Sequence, residues 1–489
     1  MSVEPSAETQ DGPDTGFFGQ PRALATLFGV ELWERFSFYG MQGILLLYLY
    51  YSVADGGLAI PEATAAGIVG AYGGGVYLST ILGAWIADRV LSAERTLFIS
   101  ATVVMFGHIA LAVIPGVPGV AVGLIAIAIG SGGVKATATT LVGALYSPGD
   151  TRRDAGFSLY YLGINLGAFL GPLLTGLLQT TAGFHLGFGL AAVGMAIGLI
   201  QYSVGRKRLP AQARTVPSPL PRKDYPRMAT IFAAAIVIIV VAVALGWITV
   251  DNLATIVVGL TTIASIAYFV VILRSRVINA DERSRVYAFI PLFIASVAFW
   301  ALYQQQFTVL TLYADQRLNR DVFGWEFPVS WVQSINPVYI IVLSGVFAAL
   351  WTKLGTRQPS TPVKFALGTI GMGVAFLLFI PFSGTGDNGT PLYAILVILL
   401  LFTIAELLLS PVGLSISTKL APERFRAQMV ALFFLSVALG TALSGSLAGY
   451  YDPDNEAPYF GVLGTVAIVL GAALIVGARP VLKLMRGVR

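Results

Sequence analysis

Long apolar stretches separated by short polar turns run through almost the whole chain. Each stretch can cross a hydrocarbon core of about 30 Å as a helix of roughly 20 residues. The strands of a membrane barrel would instead alternate in polarity over segments of about ten residues. The pattern predicts fourteen helical spans, near residues 24–50, 62–87, 96–114, 119–146, 155–179, 186–204, 229–248, 253–273, 286–314, 330–351, 363–381, 391–418, 427–450 and 459–478.

The basic residues are distributed very unevenly between the two sides of these spans. When the loops are assigned alternately to two sides, only Arg317 and Arg320 fall on one side. Arg35 and Lys135 fall within spans, and the other 26 of the 30 basic residues fall on the opposite side. Lys and Arg concentrate in cytoplasmic loops. The asymmetry therefore predicts an even number of spans, with both termini in the cytoplasm of a multi-pass protein of the cell inner (plasma) membrane.

Two charged linkers divide the spans into groups. Residues 229–273 are apolar almost throughout and lack a buried ionisable residue, so they read as an added helical hairpin between two six-helix halves. The predicted segments are a disordered cytoplasmic tail (1–21), an N-terminal bundle (22–204), a cytoplasmic linker (205–228), the hairpin (229–273), a second linker (274–285), a C-terminal bundle (286–478) and a cytoplasmic tail (479–489).

Composition supports a membrane protein and argues against an enzyme. The chain has 489 residues, of which 56% are hydrophobic and 11% charged, and a mean hydropathy of +0.79. This indicates an all-α membrane protein. Cysteine is absent and the only histidines are His108 and His185, so we expect no metal, no cofactor and no nucleic-acid partner. No Ser/His or metal-ligand arrangement points to catalysis.

Three ionisable residues lie within five positions of the first span, namely Glu31, Glu34 and Arg35. A charge at the bilayer centre costs at least about 2.5–3.5 kcal/mol, so intramembrane charges usually mark a transport path. Glu31 and Arg35 are four residues apart, a spacing that places them on one helical face. A salt bridge at the end of the helix is the alternative interpretation.

Two further charges lie near the middle of other spans. Lys135 needs an anionic partner, and a bridge to Glu31 or Glu34 would balance the cluster. Protonation of that glutamate would then release Lys135, unless the bridge is only structural. Glu406 has no basic residue near it in its own span. Such a carboxyl group either holds a proton or binds a cationic ligand group, unless it is a protonated structural residue.

Four motifs resemble those of the proton-dependent oligopeptide transporter family of the major facilitator superfamily. They are Glu31, Glu34, Arg35 and Phe36, then residues 157–168, 299–303 with 335–337, and 406–415. Residues 83–89 resemble the superfamily's signature loop. The resemblance covers nearly the whole chain. It implies the major facilitator fold, two six-helix bundles plus two additional helices, and therefore 14 transmembrane helices.

The resemblance also implies roles for individual residues. Glu406 would receive the amino terminus of a peptide, and Lys135, Tyr39 and Asn165 would lie on the carboxylate side. Asn336 and Tyr72 would contact the peptide backbone, and Trp300 would shape side-chain pockets. We expect proton coupling to use Glu31, Glu34, Arg35 and Lys135. The full set expected at the substrate is Tyr39, Gln42, Tyr72, Lys135, Tyr161, Asn165, Trp300, Gln304, Asn336, Glu406, Ser410 and Ser436.

The chain departs from the family pattern in three places. Most members have a second arginine at the position of Gln42. Many also have acidic residues where this chain has Tyr303, Gln304, Gln305 and Gln306. Those charges are thought to pair across the two halves in typical members. If only one of the two charged partners were lost, the other would be a buried unpaired charge, which costs several kcal/mol. The loss of both partners avoids this cost. The Trp-Phe-Leu-Ser motif is altered to Phe433-Phe434-Leu435-Ser436.

Together these features predict a monomeric, proton-coupled symporter that imports di- and tripeptides across the lipid bilayer by alternating access. Two alternatives stay open on the sequence. One is a proton-coupled transporter of another small solute, such as an amino acid, nitrate or a peptide-like drug. The other is a receptor that binds peptides without transporting them.

Overall fold

The computed structural model describes residues 14–147 and 149–488, and this part of the chain is almost entirely helical. The first six helices are α1 (Arg22–Tyr50), α2 (Glu62–Arg89), α3 (Ala93–Val113), α4 (Gly116–Gly143), α5 (Arg153–Ala182) and α6 (Phe184–Gly205). Two more follow, α7 (Tyr225–Ala244) and α8 (Leu253–Arg274). The remaining helices are α9 (Ala280–Tyr303), α10 (Val309–Gln316), α11 (Ile335–Leu354), α12 (Thr361–Leu377), α13 (Leu392–Lys419), α14 (Arg426–Ala448), α15 (Glu456–Val476) and α16 (Ala478–Leu484).

The predicted fold class is confirmed. Over the described residues, 13 helical segments are long and apolar enough to cross a membrane. Helix α1 has 29 residues, which also suffices to cross a bilayer, but its charged cluster makes it more polar. The chain is thus a multi-pass membrane protein, and its described part contains fourteen helical spans, of which α7 and α8 are the predicted additional pair.

One predicted span is interrupted. The stretch near 286–314 is continuous in sequence hydropathy, yet a 3₁₀ turn at Gln304–Phe307 separates α9 from α10. The side chains of the turn bond to α14: Gln304 Nε2 donates to Thr441 Oγ1 over 3.0 Å, and Gln305 Nε2 donates to the carbonyl of Ser444 over 3.3 Å. These bonds to a neighbouring helix satisfy polar groups that an uninterrupted span would leave in an apolar setting.

Each half is built from its own helix contacts. In the first half α1 packs on α5 and α6, and α4 packs on α2 and α3. In the second half α12 packs on α13 and α15, and α14 packs on α9. The two halves meet mainly where α2 contacts α14. Helix α8 lies against α2 and α14, whereas α7 has no buried residue.

Contacts between the two halves close one face of the molecule. We call the side at which α1 begins the terminal face and the side at which α1 ends the distal face. On the distal face the Tyr50 and Tyr51 hydroxyls of α1 both donate to Asp315 of α10, the second over 2.8 Å. Nearby, Ser330 and Trp331 donate to carbonyl groups of α5 over 2.9 and 3.0 Å. These contacts join the halves on the distal face.

Residues near the N-terminal end of the described chain and at the start of α9 make defined contacts on the terminal face. Residues 1–13 of the predicted disordered tail lie outside the described residues, but Gln20 is buried and accepts a hydrogen bond from Tyr146 over 2.9 Å. Helix α9 begins with a capping box in which Asn279 and Glu282 exchange bonds. The Glu282 carboxylate also accepts a hydrogen bond from the backbone N–H of Glu423 over 3.0 Å.

Candidate functional site

The charged cluster of α1 is almost completely buried. Glu31, Glu34 and Arg35 are 3%, 0% and 2% exposed. Arg35 Nε lies 3.1 Å from Glu31 Oε1, which confirms the predicted pairing of these residues, and the same guanidinium also contacts Glu34. Ser131 of α4 donates to Glu34 Oε1 over 2.8 Å. One cation is therefore shared by two carboxylates. A proton gained by either glutamate changes the net charge of this three-residue cluster.

The predicted bridge from Lys135 to Glu31 or Glu34 is not formed in this structure. Among the described residues Lys135 forms no ion pair; its ammonium lies 5.3 Å from the ring centroid of Phe38 and 5.4 Å from that of Tyr77. Arg35 and Ser131 already contact three of the four glutamate oxygens, and two aromatic faces offer the ammonium partial compensation. Lys135 consequently borders an open cavity of about 510 Å³ between α2, α4, α13 and α14 at the terminal face.

A second, central cavity of about 200 Å³ lies between the two halves. Nine of the expected substrate residues line it: Tyr39, Gln42, Tyr161, Asn165, Trp300, Gln304, Asn336, Glu406 and Ser410. They come from α1 and α5 in one half and from α9, the 3₁₀ turn after it, α11 and α13 in the other. The fold thus brings together, from distant parts of the chain, the residues that the sequence named separately.

Glu406 is the one ionisable acid or base among the residues described around this cavity, apart from the tyrosines. Tyr303 Oη lies 2.7 Å from Glu406 Oε2 and 3.2 Å from Asn336 Oδ1. Asn336 Nδ2 donates to Thr403 over 3.0 Å and lies 3.5 Å from Glu406 Oε2. Two neutral hydrogen-bonding groups orient the carboxyl group, and no cation among the described residues of the cavity neutralises it. A ligand ammonium group would supply that missing charge.

The opposite wall of the cavity is aromatic and amide-rich. The Tyr39 ring of α1 stacks on Phe307 of the second half with centroids 6.1 Å apart. Asn165 Nδ2 donates to the Tyr161 carbonyl over 2.9 Å. Gln42 is buried, and its Oε1 has no hydrogen-bond partner among the described groups. Such an unsatisfied acceptor next to a polar cavity is available to a ligand donor.

Three expected substrate residues do not line the central cavity. Lys135 borders the terminal cavity instead. The Tyr72 ring is buried and packs on Phe38, with centroids 6.1 Å apart. Ser436 is fully buried, and its hydroxyl is engaged with Ser296 Oγ at 2.7 Å and the Phe433 carbonyl at 2.7 Å. Neighbouring helices cover both of these side chains in this conformation, so substrate contact by Tyr72 and Ser436 stays a prediction.

Several cavity residues escaped the sequence reasoning. They are Phe38, Gly73, Tyr77, Ile164, Ala168, Gln306, Phe307, Gln333, Pro337 and Ile340. Gln306 and Gln333 lie in 3₁₀ turns, where helical periodicity does not predict the direction of a side chain. Tyr77 carried a usable signal, since it is one of two tyrosines, with Tyr72, in the middle of a span made mainly of small and apolar residues. Around all these sites, the described residues contain no group of three or more potential metal ligands.

Known proteins resemble the chain over most of its length. Residues 94–463 match the family PTR2, described as the POT family. An uncharacterized transporter of Bacillus subtilis, YclF, is 41% identical over 490 residues, which is 100% of this chain and 99% of the relative. A di-/tripeptide transporter of Lactococcus lactis subsp. cremoris is 40% identical over 492 residues, covering 97% of this chain and 98% of the relative.

A solved structure agrees with the fold. The crystal structure of a mutant of a peptide transporter POT, in complex with alafosfalin, superposes with a TM-score of 0.93 at 46% identity, covering 97% of this chain and 98% of the other.

Proposed function

The chain belongs to the POT family, and we propose that it is a proton-coupled symporter that imports di- and tripeptides by alternating access. The observation that carries this proposal is the cavity between the two halves, whose only carboxylate among the described lining residues, Glu406, has no cationic partner there. The names of the relatives support peptides as the substrate class. The family consists of transporters, so the chain is not an enzyme.

Peptide binding follows from the polarity of the site. Glu406 pairs with the peptide ammonium group, with Tyr303 and Asn336 holding its orientation. Tyr39 and Asn165 face the carboxylate end, and Lys135 attracts that end from the neighbouring cavity. Fully extended residues span at most about 3.3–3.6 Å each, so a di- or tripeptide places its two charges one or two residues apart. A zwitterion of that length can place its ammonium group at Glu406 and its carboxylate at the opposite end of the cavity.

The remaining lining residues complete the substrate site. Asn336 also meets the peptide backbone, and Trp300 bounds a side-chain pocket. Gln42 and Gln304 replace the charged pair typical of the family with neutral hydrogen-bonding groups. Tyr161 and Ser410 also line the cavity.

Proton coupling resides in Glu31, Glu34, Arg35 and Lys135. In the state with Lys135 away from the glutamates, Arg35 holds both carboxylates. In the opposite state Lys135 takes over one of them, and protonation of that glutamate releases it. One proton crossing 100 mV supplies about 2.3 kcal/mol, and one pH unit adds about 1.4 kcal/mol. Together they support roughly 500-fold accumulation of a neutral peptide.

Alternating access and orientation complete the proposal. The protein lies in the cell inner membrane as a monomer with both termini cytoplasmic, so the terminal face is cytoplasmic and the distal face exterior. The rocking units are the bundles 22–204 and 286–478, with 205–228 and 274–285 as linkers, 229–273 as the extra hairpin and 479–489 as a tail. Opening the distal face requires the Tyr50 and Tyr51 bonds to Asp315 to break.

Uptake into proteoliposomes tests the proposal. The purified protein should accumulate dialanine when a pH gradient and a membrane potential are imposed, and accumulation should collapse when a protonophore removes them. Glu406→Gln should lower dialanine uptake by at least about 30-fold, because a neutral amide cannot pair with the peptide ammonium group. Asp321→Asn is the matched control and should leave uptake unchanged, because Asp321 is an exposed acid in a two-stranded β-hairpin after α10, formed by the strands Asp321–Val322 and Trp325–Glu326. Proton-driven, high-affinity uptake by Glu406→Gln would refute the assigned role.

A further inference from the structure

A third cavity, separate from the transport path proposed above, lies at the terminal ends of three helices of the second half. It measures about 660 Å³. Its walls are the end of α11, the start of α12 and the last turns of α13, and Leu482 of α16 closes one side. None of its residues belongs to the peptide site or to the proton-coupling cluster.

The charge of this cavity has one sign. Lys364 and Lys419 both line it, and no Asp or Glu is among the described residues of its wall. Lys364 Nζ lies 4.1 Å from the ring centroid of Trp351 and donates to Gln358 Oε1 over 2.9 Å. These two contacts fix the Lys364 ammonium group on the cavity wall without neutralising it. Basic side chains on the wall of a recess favour an anionic ligand.

Neutral donors accompany the two lysines. The hydroxyl groups of Thr356, Ser360, Thr361 and Ser415 belong to residues of the wall. Ser360 and Thr361 stand at the beginning of α12, where free backbone N–H groups and the helix dipole favour negative charge. Hydroxyl groups, N–H groups and ammonium groups together match the oxygens of a phosphate group.

The position of the cavity indicates where the phosphate comes from. The three helices begin or end here, so the cavity lies at the boundary between hydrocarbon and water. Trp351 is an aromatic residue typical of that boundary. Toward the membrane interior the wall becomes apolar with Pro411, Val412 and Ile416. A polar, cationic mouth above an apolar floor suits a lipid headgroup with its acyl chains, and basic pockets between membrane helices bind such headgroups.

We infer that this cavity binds the phosphate headgroup of an anionic phospholipid from the leaflet at the terminal face, held by Lys364 and Lys419. The inference is independent of the peptide site, because it uses other residues and predicts binding without peptide or a proton gradient.

Native mass spectrometry of the full-length protein in detergent, titrated with phosphatidylglycerol or phosphatidylcholine, tests the inference. The wild-type protein should bind phosphatidylglycerol more tightly. Each basic residue near the membrane surface contributes about a 5-fold gain, so Lys364→Gln with Lys419→Gln should weaken phosphatidylglycerol binding by about 25-fold. Lys353→Gln is the matched control, since this exposed lysine ends α11 without lining the cavity. The double Lys→Arg variant should retain binding, which separates charge from folding.

The remaining outcomes would overturn the inference. Equal binding of the two lipids, or phosphatidylglycerol binding by the double Gln variant that equals that of the wild type, would remove the site. Loss in the Lys353→Gln control as large as in the double variant would reduce the effect to general surface charge. Displacement of the lipid by a millimolar excess of inorganic phosphate would assign the cavity to a free anion instead of a lipid.

Discussion

At the scale of single residues, the protein buries few charges, and two carboxylates share one cation. Arg35 serves two glutamates, so the cluster on α1 contains two acids and one base. Glu406 and Lys135 each stand without an ionic partner among the described residues, one in the central cavity and one beside the terminal cavity. Leaving a buried charge unpaired is costly. A zwitterionic ligand or a proton would therefore change the net charge at these unpaired positions.

Removal of the Lys135 ammonium group should uncouple transport from the proton gradient. Lys135→Ala should lose concentrative uptake of dialanine in proteoliposomes, while counterflow exchange, which needs no net proton movement, should persist. Thr140→Ala, which changes another side chain of the same terminal cavity, is the control and should accumulate dialanine normally. Unchanged accumulation by Lys135→Ala would refute the proposed exchange of glutamate partners.

A charge introduced at Gln42 should be harmful alone and tolerated in a pair. Gln42→Arg places an unmatched cation in a buried position and should impair uptake. Both Gln42 and Gln304 line the central cavity from opposite halves, so adding Gln304→Glu should restore part of the lost activity. A double-mutant cycle of initial uptake rates measures the coupling. Strictly additive losses, or improved transport by Gln42→Arg alone, would contradict the pairing argument.

At the scale of elements, small residues decide how the halves meet. A Cβ atom on Gly70 of α2 would lie 2.5 Å from Cα of Gly445 in α14. Without a hydrophobic driving force between helices in lipid, close backbone approach and packing hold such interfaces together. The crossing of α2 and α14 therefore depends on glycine at this position.

Gly70→Ala should force α2 and α14 apart and destabilise the protein by about 1–3 kcal/mol, a typical cost of overpacking. We expect a lower unfolding temperature in detergent and slower dialanine uptake. Gly75→Ala provides a matched control in the same helix, because a Cβ atom there meets nothing within 4 Å. An equal change in both variants would show that helix propensity, not the contact with Gly445, determines the effect.

At the scale of the whole molecule, charge and closure are both asymmetric. The basic loops lie on the terminal face, where a cavity lined by Lys135 is open, and the distal face is held shut by Asp315 and its tyrosine partners. The structure is thus open to the side that the distribution of basic residues predicts to be cytoplasmic.

The orientation can be tested with single cysteines, because the native chain contains none. Ser218→Cys lies in the exposed linker before α7, and Thr249→Cys lies in the exposed loop between α7 and α8. In intact cells an impermeant maleimide should label Thr249→Cys and spare Ser218→Cys until the membrane is permeabilised. The reverse labelling pattern would overturn the assignment of the terminal face to the cytoplasm.

The sequence alone determined the features that depend on hydropathy, charge counts and motif identity. These include the fourteen spans, the added hairpin, the buried pair of Glu31 and Arg35, and nine of the residues around the central cavity. In a membrane, an apolar helix and a paired charge are the states of low free energy. These features therefore follow from the local sequence and do not require knowledge of the tertiary structure.

Only the tertiary structure decided which side chains meet. It turned Tyr72 and Ser436 into helix contacts, brought Gln306 and Gln333 to the cavity through 3₁₀ turns, and left Lys135 on aromatic rings beside glutamates that Arg35 already holds. Helical spacing gives the direction of a side chain within its own helix but not the rotation and depth of the neighbouring helix. Those depend on packing between segments far apart in sequence, as does the lysine-lined cavity formed where the terminal ends of α11, α12 and α13 meet.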